Sequence, residues 1–511
     1  MNNFITNIIN NDINNGLDIK KIKFRFPPEP NGVLHLGHIK ALYINFYLAK
    51  KYNAKINLRF EDTNPINIKY KYINNIINNL KWLNFKYNNI TYVSDYFNIL
   101  YKLAKILIIK KKAYIQIFKN NKLYNINNIE HNLHIFHNMK YGKYNKNYIL
   151  KAKINNINTN NYYINNPIMY RIINYKHFRT KYNWNIFPTY DWSHGQSDYI
   201  ENITHSLCST EFIIHKNIYN WYLNNIYNKN FNKILPKQIE FSRLNINNTI
   251  TSKRKINILI KKKIINNLCD PRLLTINSFI KKGYSNKYLI DFIKVIGYSK
   301  RNNNININLL NNIIKNNLIK KSIKLMVIIK PFKIIIKNFK NNYIKWIYLK
   351  EYNKIIPFTK YIYIEKKDFK IKNYNNFYRL CINNYVRLKY SYIIKIDNIT
   401  KNNNNYNIYC SIYNNNKINK NNIKSTIQWI SNKYYLKIKI ILYDYIFINN
   451  NKIYNKKIKI LNAYSNIIIE NIKINKIYQF HRIGFFYFYK YINKIYYFKK
   501  IILFNNKNNL Y

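Results

Sequence analysis

Two histidines, His35 and His38, follow a proline-rich loop and enclose Leu36 and Gly37. Apolar residues recur at helical spacing from about Leu36 to Lys51, so the motif lies at the start of a predicted helix. A helix N-terminus presents unpaired N–H groups and the positive end of the helix dipole, which together bind phosphate. Gly37 lets a nucleotide approach the backbone closely. Both imidazoles can donate to phosphate oxygens, so the motif predicts a nucleotide site.

A second candidate motif, Thr251–Lys255 (TSKRK), follows the strand-like segment Ile239–Leu244. A lysine beside a serine on a loop could close over a triphosphate and stabilise the charge that builds on it. By itself this motif carries little weight, because lysine-rich segments occur throughout the chain. The two motifs are separated in sequence by roughly the length of a nucleotide-binding domain plus an insertion. This separation makes the pair of motifs specific, although each alone is weak.

The elements that position the first motif can be predicted from residue patterns. Lys21–Phe26 and Lys55–Phe60 alternate as strands do, and Ile66–Leu83 has helical spacing. Three prolines between Pro27 and Pro30 end the first strand, because proline fixes φ and removes a hydrogen-bond donor. Strand, glycine-containing loop, helix and strand in this order are typical of a doubly wound α/β domain.

The rest of the chain divides by pattern. Residues 95–185 mix helix and strand signals and are predicted to be an insertion, and Pro271–Ile296 is predicted to be helical. Beyond about Lys321 the helical period gives way to short Ile, Tyr and Phe runs between Asn and Lys loops, such as Leu325–Ile329. This pattern predicts an all-β region of sandwich or barrel type.

The composition narrows the class of protein. Among 511 residues, 86 Lys and Arg against 20 Asp and Glu give a formal net charge of +66, which favours a nucleic-acid partner. Asn, Ile, Lys and Tyr, which have AT-rich codons, also dominate the composition, as is typical of a genome under AT-rich drift. Such drift adds lysines without a binding role, so the alternative of a basic surface that is only solvated stays open. The 47% hydrophobic fraction excludes wholesale disorder. Four scattered cysteines form neither a disulfide framework nor a CxxC zinc pair. With no secretory signal and no bilayer-spanning stretch, we expect no membrane association. The absence of a transit peptide favours the cytoplasm, and an organelle with an AT-rich genome stays an alternative.

Together the two motifs resemble the HIGH and KMSKS signatures of class I aminoacyl-tRNA synthetases. Further segments in chain order are similar to the glutaminyl-tRNA synthetases of that class, and the similarity resumes near the C-terminus. These segments are RFPPEPNGVLHLGHIKA (Arg25–Ala41), NLRFEDTNP (Asn57–Pro65), YDWSHGQSDYIENITHSLCSTEF (Tyr190–Phe212), EFSRLN (Glu240–Asn245), DPRLLTI (Asp270–Ile276) and QFHRIGFFYF (Gln479–Phe488).

The resemblance implies a two-step reaction. The carboxylate of L-glutamine attacks the α-phosphate of ATP, which gives glutaminyl-adenylate and pyrophosphate. The 2′-hydroxyl of the terminal ribose of tRNA(Gln) then takes the glutaminyl group. The resemblance also implies that tRNA is needed for the first step, that ATP is bound with Mg²⁺ and without zinc, and that the enzyme is a monomer. The protein would supply mainly positioning and charge stabilisation at phosphorus.

The resemblance further implies an α/β fold in which a Rossmann-like catalytic domain carries an inserted acceptor-binding subdomain. A helical subdomain and C-terminal all-β anticodon-binding barrels follow. The corresponding ranges are 1–94 and 186–244 for the two halves of the catalytic domain, 95–185 for the inserted acceptor-stem-binding subdomain, 245–320 for the signature loop and helical subdomain, and 321–511 for the β-barrel anticodon-binding region.

Carried over position by position, the resemblance assigns catalytic roles to His35 and His38, which would bond phosphate oxygens. Lys253 would neutralise the departing pyrophosphate, and Arg243 and Leu244 would flank adenine. No residue is assigned to a protein-held metal ion. The full set for ATP is Glu29, Pro30, Asn31, His35, Leu36, Gly37, His38, Ile39, Lys40, Ala41, Ser209, Arg243, Leu244, Thr251, Ser252 and Lys253.

The glutamine pocket is assigned in the same way. Glu61 should pair with the α-ammonium, Tyr190 should help to bind the glutamine side chain, and Arg25 and His194 belong to the same pocket. Cys208 stands where the related glutamyl enzymes carry an arginine suited to a γ-carboxylate. A neutral thiol offers glutamate no counter-charge, so burying that carboxylate would cost several kcal/mol.

The chain departs from the family pattern at two positions that bear on the site. Glu61 replaces the usual Asp, and its extra methylene moves the carboxylate by about one bond length, although a carboxylate still suits an ammonium. Thr251 replaces the usual Met, where we expect little loss because Lys253 remains. Two alternatives stay open: a glutamyl or non-discriminating synthetase, against which Cys208 argues, and a non-catalytic tRNA-binding paralogue, against which the intact motifs argue.

Overall fold

The structure is a computed structural model. It describes residues 3–154, 165–227, 233–247, 249–250, 253–349, 354–371, 377–402, 405–413, 422–444, 446–449, 452–454, 458–466 and 473–504.

The chain forms two compact units. The first comprises Met1–Cys269, Leu274–Asn277 and Leu289–Ile307, and the second comprises Asp270–Leu273, Ser278–Tyr288 and Asn308–Tyr511. None of the helices in the described part of the chain is long and apolar enough to cross a membrane. The five-part division given above stays a prediction.

The elements are as follows in chain order. The α-helices are α1 Phe4–Asn14, α2 Leu36–Lys51, α3 Tyr70–Leu83, α4 Phe97–Ile109, α5 Ile129–Lys140, α6 Tyr190–Ile200, α7 Lys216–Ile226, α8 Lys253–Lys261, α9 Ile276–Lys282, α10 Asn286–Ile296 and α11 Ile307–Ile319. The strands are β1 Lys23–Phe26, β2 Lys55–Phe60, β3 Asn89–Tyr92, β4 Ala113–Lys119, β5 Lys122–Asn125, β6 Tyr148–Ala152, β7 Ile168–Ile172, β8 Ile186–Pro188, β9 His205–Ser209, β10 Lys237–Phe241, β11 Leu244–Ile246, β12 Asn303–Ile305, β13 Ile323–Leu325, β14 Val327–Ile329, β15 Pro331–Ile336, β16 Lys345–Leu349, β17 Lys354–Phe358, β18 Tyr361–Glu365, β19 Tyr385–Leu388, β20 Ile393–Asn402, β21 Asn405–Tyr413, β22 Ile423–Ile427, β23 Trp429–Ser431, β24 Tyr435–Leu442, β25 Phe447–Asn449, β26 Lys452–Tyr454, β27 Lys459–Asn466, β28 Ile477–Phe480, β29 Gly484–Ile492 and β30 Ile495–Leu503.

The first unit is built on parallel strands. β1, β2 and β3 lie side by side, and β9 and β10 form a second parallel pair. The amide of Thr204, just before β9, donates to the carbonyl of Lys23 in β1 at 3.1 Å, so the two groups of strands are neighbours. Phe24, Ile56 and Leu207 are buried, as expected for a sheet covered by helices. The predicted α/β arrangement is confirmed.

Two predicted helices have different bounds in the structure. The helix predicted from Ile66 begins at Tyr70, because a turn after Pro65 occupies the residues between them. The helical segment predicted over Pro271–Ile296 is two helices, α9 and α10. Gly283 ends α9 with a φ of +79°, and the next amide bonds back into the helix, which is how a glycine commonly closes a helix.

An antiparallel sheet lies between β3 and α6 in the chain, with the strand order β5-β4-β6-β7-β8. Its core also contains residues of α4 and α5. This sheet and its helices account for the mixed helix and strand signals of residues 95–185. Representative buried core residues are Leu107, Phe136, Leu150, Met169 and Phe187.

Two seven-stranded sheets dominate the second unit, in the orders β13-β28-β29-β30-β24-β27-β14 and β22-β19-β20-β21-β15-β18-β23. The two end strands of each sheet are joined in the chain by one residue, Met326 or Gln428, so each sheet curls into a nearly closed barrel. The Gln428 side chain accepts from the Val327 amide at 3.2 Å and donates to the His481 carbonyl at 2.8 Å, which links the barrels. The predicted barrels are confirmed, although Leu325–Ile329 is two strands rather than one run.

A buried carboxylate also joins the two barrels. Asp368, which is fully buried, accepts from both terminal nitrogens of Arg482 at 2.9 and 3.1 Å, and Arg379 donates to it as well. A buried carboxylate of this kind is costly without cationic partners, and here it has two. The pair therefore stabilises the contact between the barrels.

Candidate active site

A cavity of about 520 Å³ opens at the carboxyl ends of β1, β2, β9 and β10. Ligands of open parallel sheets bind at this edge, where the loops after the strands diverge. The predicted site residues that line the cavity are Arg25, Glu29, His35, Gly37, His38, Lys40, Ala41, Glu61, Tyr190, Cys208, Ser209, Arg243 and Leu244.

The remaining predicted residues fall into two groups. Thr251 and Ser252 lie outside the described residues, and of Lys253, the first residue of α8, only the backbone is described. The described residues that were predicted for the site but do not line the cavity are Pro30, Asn31, Leu36, Ile39 and His194.

His35 and His38 lie at the N-terminus of α2. Nδ1 of His38 accepts from the backbone N–H of His35 at 3.0 Å, and Nδ1 of His35 accepts from the N–H of Gly37 at 3.1 Å. Because both Nδ1 atoms accept, each neutral ring carries its proton on Nε2. Two Nε2–H donors therefore line the cavity beside the positive end of a helix, an arrangement that suits phosphate.

Gly37 has a steric role in this arrangement. A Cβ at this position would lie 2.9 Å from Cε1 of His35 and 3.0 Å from its Nδ1. These distances are shorter than real Cβ contacts, so glycine makes room for the imidazole of His35. The close approach of a nucleotide to Gly37 stays a prediction.

Burial lowers the pKa of the basic groups around His35 and His38. It lowers the pKa of His38 to about 4, and it lowers the pKa of His35 well below the usual value, with His38 and Arg243 adding to the effect. Both rings are therefore neutral donors near neutral pH. Burial also lowers the pKa of Lys40 to about 8, and its Nζ donates to Oγ of Ser242 at 2.7 Å. The negative charge of a bound triphosphate would raise all of these pKa values.

A chain of buried charges lies at the other end of the cavity. Nε of Arg25 and a terminal nitrogen of Arg59 both donate to Oδ1 of Asp198, at 2.9 and 2.8 Å. Arg59 also pairs with Oε1 of Glu61 at 3.1 Å and Oε1 of Glu201 at 3.4 Å. Although burial opposes them, the two arginines hold the pKa of Asp198 well below its usual range. Asp198 is therefore ionised and fixes both arginines.

Glu61 presents one oxygen without a partner. Oε1 is held by Arg59, whereas Oε2 is buried and has no hydrogen-bond partner among the described residues. Burial raises the pKa of Glu61, and Arg59 opposes that shift. A buried, unsatisfied carboxylate oxygen is costly unless a ligand completes it. Since Glu61 lines the cavity, a cationic group such as an ammonium is the ligand that suits it.

The sequence-based prediction missed Asp198, Arg59 and Glu201. These residues hold Arg25 and Glu61 in place and are not themselves part of the cavity wall. Acidic residues are scarce, 20 among 511, so their persistence at 198 and 201 is the signal that could have identified two of them.

Tyr190 and His194 lie one helical turn apart at the start of α6, and their ring centroids are 4.6 Å apart in a stacked arrangement. Arg25 donates through Nη2 to Nε2 of His194 at 3.1 Å, so the proton of the neutral ring is on Nδ1. His194 therefore supports Arg25 and Tyr190 rather than lining the cavity.

Acid should destabilise the wild-type chain more steeply than a His194→Asn variant. Burial lowers the pKa of His194 from 6.5 to about 3, so between these values the unfolded chain binds a proton that the folded chain excludes. This contribution is complete above pH 6.5 and is lost by about 1.4 kcal/mol per pH unit as the pH falls. Urea unfolding of both proteins from about pH 7 to about pH 4.5 measures the difference. If the free energy of unfolding of the two proteins changed with pH in parallel, this prediction would be wrong.

Cys208, in β9, contributes a small uncharged group to the cavity wall. Its side chain is almost buried, at 8% exposed, and its thiol donates to the carbonyl of Ile239 at 3.9 Å. Burial raises the pKa of the thiol to about 12, so it is neutral at any physiological pH. The neighbouring cation Arg25 is already paired with Asp198.

Residues 21–320 match the family model of the catalytic domain of class I tRNA synthetases (E and Q), the enzymes for glutamate and glutamine. The chain belongs to this family. Residues 324–413 and 426–489 match the two anticodon-binding domain models of the same family. The family resemblance drawn from the sequence motifs is therefore confirmed, and the chain is an ATP-dependent aminoacyl-tRNA synthetase.

Curated relatives of this family member are glutamine–tRNA ligases. One from Buchnera aphidicola subsp. Schizaphis graminum is 39% identical over 478 residues, which cover 87% of this chain and 84% of that protein. One from Buchnera aphidicola subsp. Baizongia pistaciae is 37% identical and covers 99% of this chain and 97% of its own length. One from Haemophilus influenzae is 35% identical, and the match covers 95% of this chain and 93% of that protein.

Proposed function

We propose that the chain joins L-glutamine to tRNA(Gln) with ATP as the energy source. The observation that carries the choice of amino acid is Cys208, a buried thiol that stays neutral in the cavity wall. A γ-carboxylate there would lack a counter-charge, because Arg25 is already neutralised by Asp198, whereas an amide needs only hydrogen bonds. The names of the relatives support the same amino acid.

In the first step a carboxylate oxygen of glutamine attacks the α-phosphorus of ATP, and the bond from that phosphorus to the pyrophosphate oxygen breaks. His35 and His38 donate from Nε2 to phosphate oxygens, and Lys253 neutralises the leaving pyrophosphate. Glu61 receives the α-ammonium on its unpaired oxygen, while Tyr190 borders the glutamine side chain. Preformed donors and a preformed carboxylate cost no reorganisation during the reaction.

The adenosine part of ATP is held by residues at the carboxyl ends of β1, β9 and β10. Arg243 and Leu244 flank adenine, and Ser209 lies near the nucleotide. Glu29 and Gly37 face the same cavity and support this assignment.

In the second step the 2′-hydroxyl of the terminal ribose of tRNA(Gln) attacks the carbonyl carbon of glutaminyl-adenylate. The carbon–oxygen bond to the phosphate breaks, AMP leaves, and the hydroxyl proton is lost to the phosphate or to water. Residues 95–185 would bind the acceptor stem, 245–320 would carry the signature loop, and 321–511 would bind the anticodon. Occupation of these surfaces by tRNA would be required for the first step as well.

We infer that Mg²⁺ arrives with ATP. Glu211, an acid in the cavity wall, is already paired with Arg243. Mg²⁺ is commonly bound through substrate phosphates and water, so the triphosphate is its natural carrier here. A monomer acting in the cytoplasm completes the proposal.

Aminoacylation of tRNA(Gln) and tRNA(Glu) transcripts, each offered glutamine or glutamate, tests this function. We expect charging of tRNA(Gln) with glutamine alone. ATP–pyrophosphate exchange is measured in parallel with and without tRNA, and it should require tRNA. A His38→Ala variant is the control and should lose about 100-fold or more in exchange, as removal of one oxyanion donor does in other enzymes.

The other outcomes are informative. Glutamate on either tRNA would overturn the choice of amino acid, and full exchange by His38→Ala would remove His38 from the mechanism. Tight tRNA binding without any charging would indicate a non-catalytic tRNA-binding protein.

A further inference from the structure

The hairpin formed by β16 and β17, in the second unit, has two unlike faces. One face belongs to the core of a barrel, and the other is turned to solvent. The core-facing residues are Ile347, Leu349, Ile356 and Phe358. The outward residues are Trp346, Tyr348 and Ile355, which are 56%, 54% and 54% exposed.

The outward face is apolar where a solvated strand would be polar. Antiparallel sheets that face water on one side alternate apolar and polar residues, and an exposed apolar patch commonly marks an interaction site. Tyr348 lies directly opposite Ile355 in the strand register, and Trp346 is two residues along on the same face. The ring of Trp346 also lies 6.4 Å from that of Tyr434, between centroids. We call Trp346, Tyr348, Ile355 and Tyr434 the aromatic platform.

Trp346 stands out among the tryptophans. The chain has only 6, all of them described, and Trp346 is the one whose side chain is largely exposed to solvent. Trp184, Trp192 and Trp429, by contrast, are buried at 6%, 0% and 1% exposed. An indole is normally retained for the large apolar area that it buries, and an exposed one is typical of a binding hot spot.

The surroundings of the platform are strongly cationic. Residues 324–413 contain 18 Lys and Arg against 4 Asp and Glu. Within the platform, Nζ of Lys433 lies 5.8 Å from the ring centroid of Tyr434. The three described acids of this range all have partners: Glu365 with Lys367, Asp368 with Arg379 and Arg482, and Asp397 with Ser411. Exposed aromatic rings in a strongly basic domain suit a phosphate backbone with unstacked bases.

We propose that Trp346 stacks on an unpaired base of the tRNA anticodon loop. The proposal rests on the function proposed above and adds a binding residue to it. The hairpin lies within the range that matches the anticodon-binding domain model, and single-stranded RNA loops are bound by stacking on aromatic side chains. Because every base has a π-face, Trp346 contributes affinity and loop geometry rather than base identity.

A Trp346→Ala variant should bind a tRNA(Gln) transcript about 5- to 150-fold more weakly, the range found for loss of one stacked base. The slope of log K against log salt should not change, since no phosphate contact is lost. Trp346→Phe, which keeps an aromatic ring, should lose less tRNA affinity than Trp346→Ala. Lys433→Ala, beside Tyr434, is the matched electrostatic control, and it should lower the salt slope by about 0.7–0.9.

The contact is then located on the RNA. The affinity loss of Trp346→Ala should vanish with a minihelix that contains only the acceptor arm. It should also vanish with a transcript that has an abasic site at the stacked position of the anticodon loop. Removing the base and removing Trp346 abolish the same contact, so their effects on affinity are not additive. In aminoacylation, Trp346→Ala should raise the KM for tRNA and keep the kcat at saturating tRNA.

Unchanged tRNA affinity in Trp346→Ala, with a folded protein by circular dichroism, would overturn the proposal. If that variant changed self-association in sedimentation instead, the platform would be a protein contact. A loss that persists on the minihelix would overturn it as well. Failure of the proposed function is distinguishable, because the wild-type protein would then bind tRNA(Gln) without charging it with glutamine, whatever residue stands at position 346.

Discussion

Replacing Glu61 with glutamine should raise the KM for glutamine by about 100-fold or more in aminoacylation, at saturating ATP and tRNA. The substitution keeps the shape of the side chain and removes the charge that the α-ammonium needs. Truncating one partner of a buried, hydrogen-bonded charge pair costs about 2–5 kcal/mol, which is roughly 30- to 5,000-fold. Because Oε2 of Glu61 is buried and unpaired among the described residues, we expect the increase in KM to lie well inside that range.

Glu61→Asp is the matched control, since it keeps the carboxylate and restores the residue usual in the family. We expect its KM to stay within about 10-fold of wild type, because the ammonium pair survives a shift of one methylene. Folding of Glu61→Gln should be preserved, because Arg59 retains Asp198 and Glu201 as partners. A folded Glu61→Gln with an unchanged KM would show that the ammonium binds elsewhere.

The arrangement of the two histidines at the start of α2 could be predicted from the sequence because its geometry is local. His35, Gly37 and His38 lie within one turn of α2, and their positions follow from the helix start alone. Their mutual hydrogen bonds and the steric need for Gly37 add detail that spacing does not contain. A motif of this kind places its own side chains once the helix forms.

The chain of buried charges at the other end of the cavity could be predicted only in part, because its geometry is long-range. Arg25 and Asp198 are separated by 173 positions, and Arg59 and Glu201 by 142. Periodicity indicates that β1, β2 and α6 exist, but it does not give the register that brings their charges together. For the same reason the pattern shows Leu325–Ile329 as one run, although β13 and β14 lie at opposite ends of one sheet order.

Cys208→Arg should lower kcat/KM for glutamine by at least about 30-fold and raise it for glutamate. The guanidinium would supply the counter-charge that a γ-carboxylate lacks in the wild-type cavity, and a close, desolvated charge pair is worth about 2–5 kcal/mol. An amide cannot satisfy a buried cation in the same way, so glutamine binding would leave that charge poorly solvated. Pyrophosphate exchange with each amino acid, in the presence of tRNA, measures both effects.

Cys208→Ser is the control, because it keeps a small neutral group and should keep the preference for glutamine. The preference of the wild-type enzyme for glutamine over glutamate should also be constant from about pH 6.5 to about pH 9, since a thiol with a pKa of about 12 gains no charge in that interval. Arg25, already paired with Asp198, does not offer the missing charge. If Cys208→Arg is folded and still prefers glutamine as strongly as wild type, discrimination lies in another part of the cavity wall, and the neutral thiol only fills space.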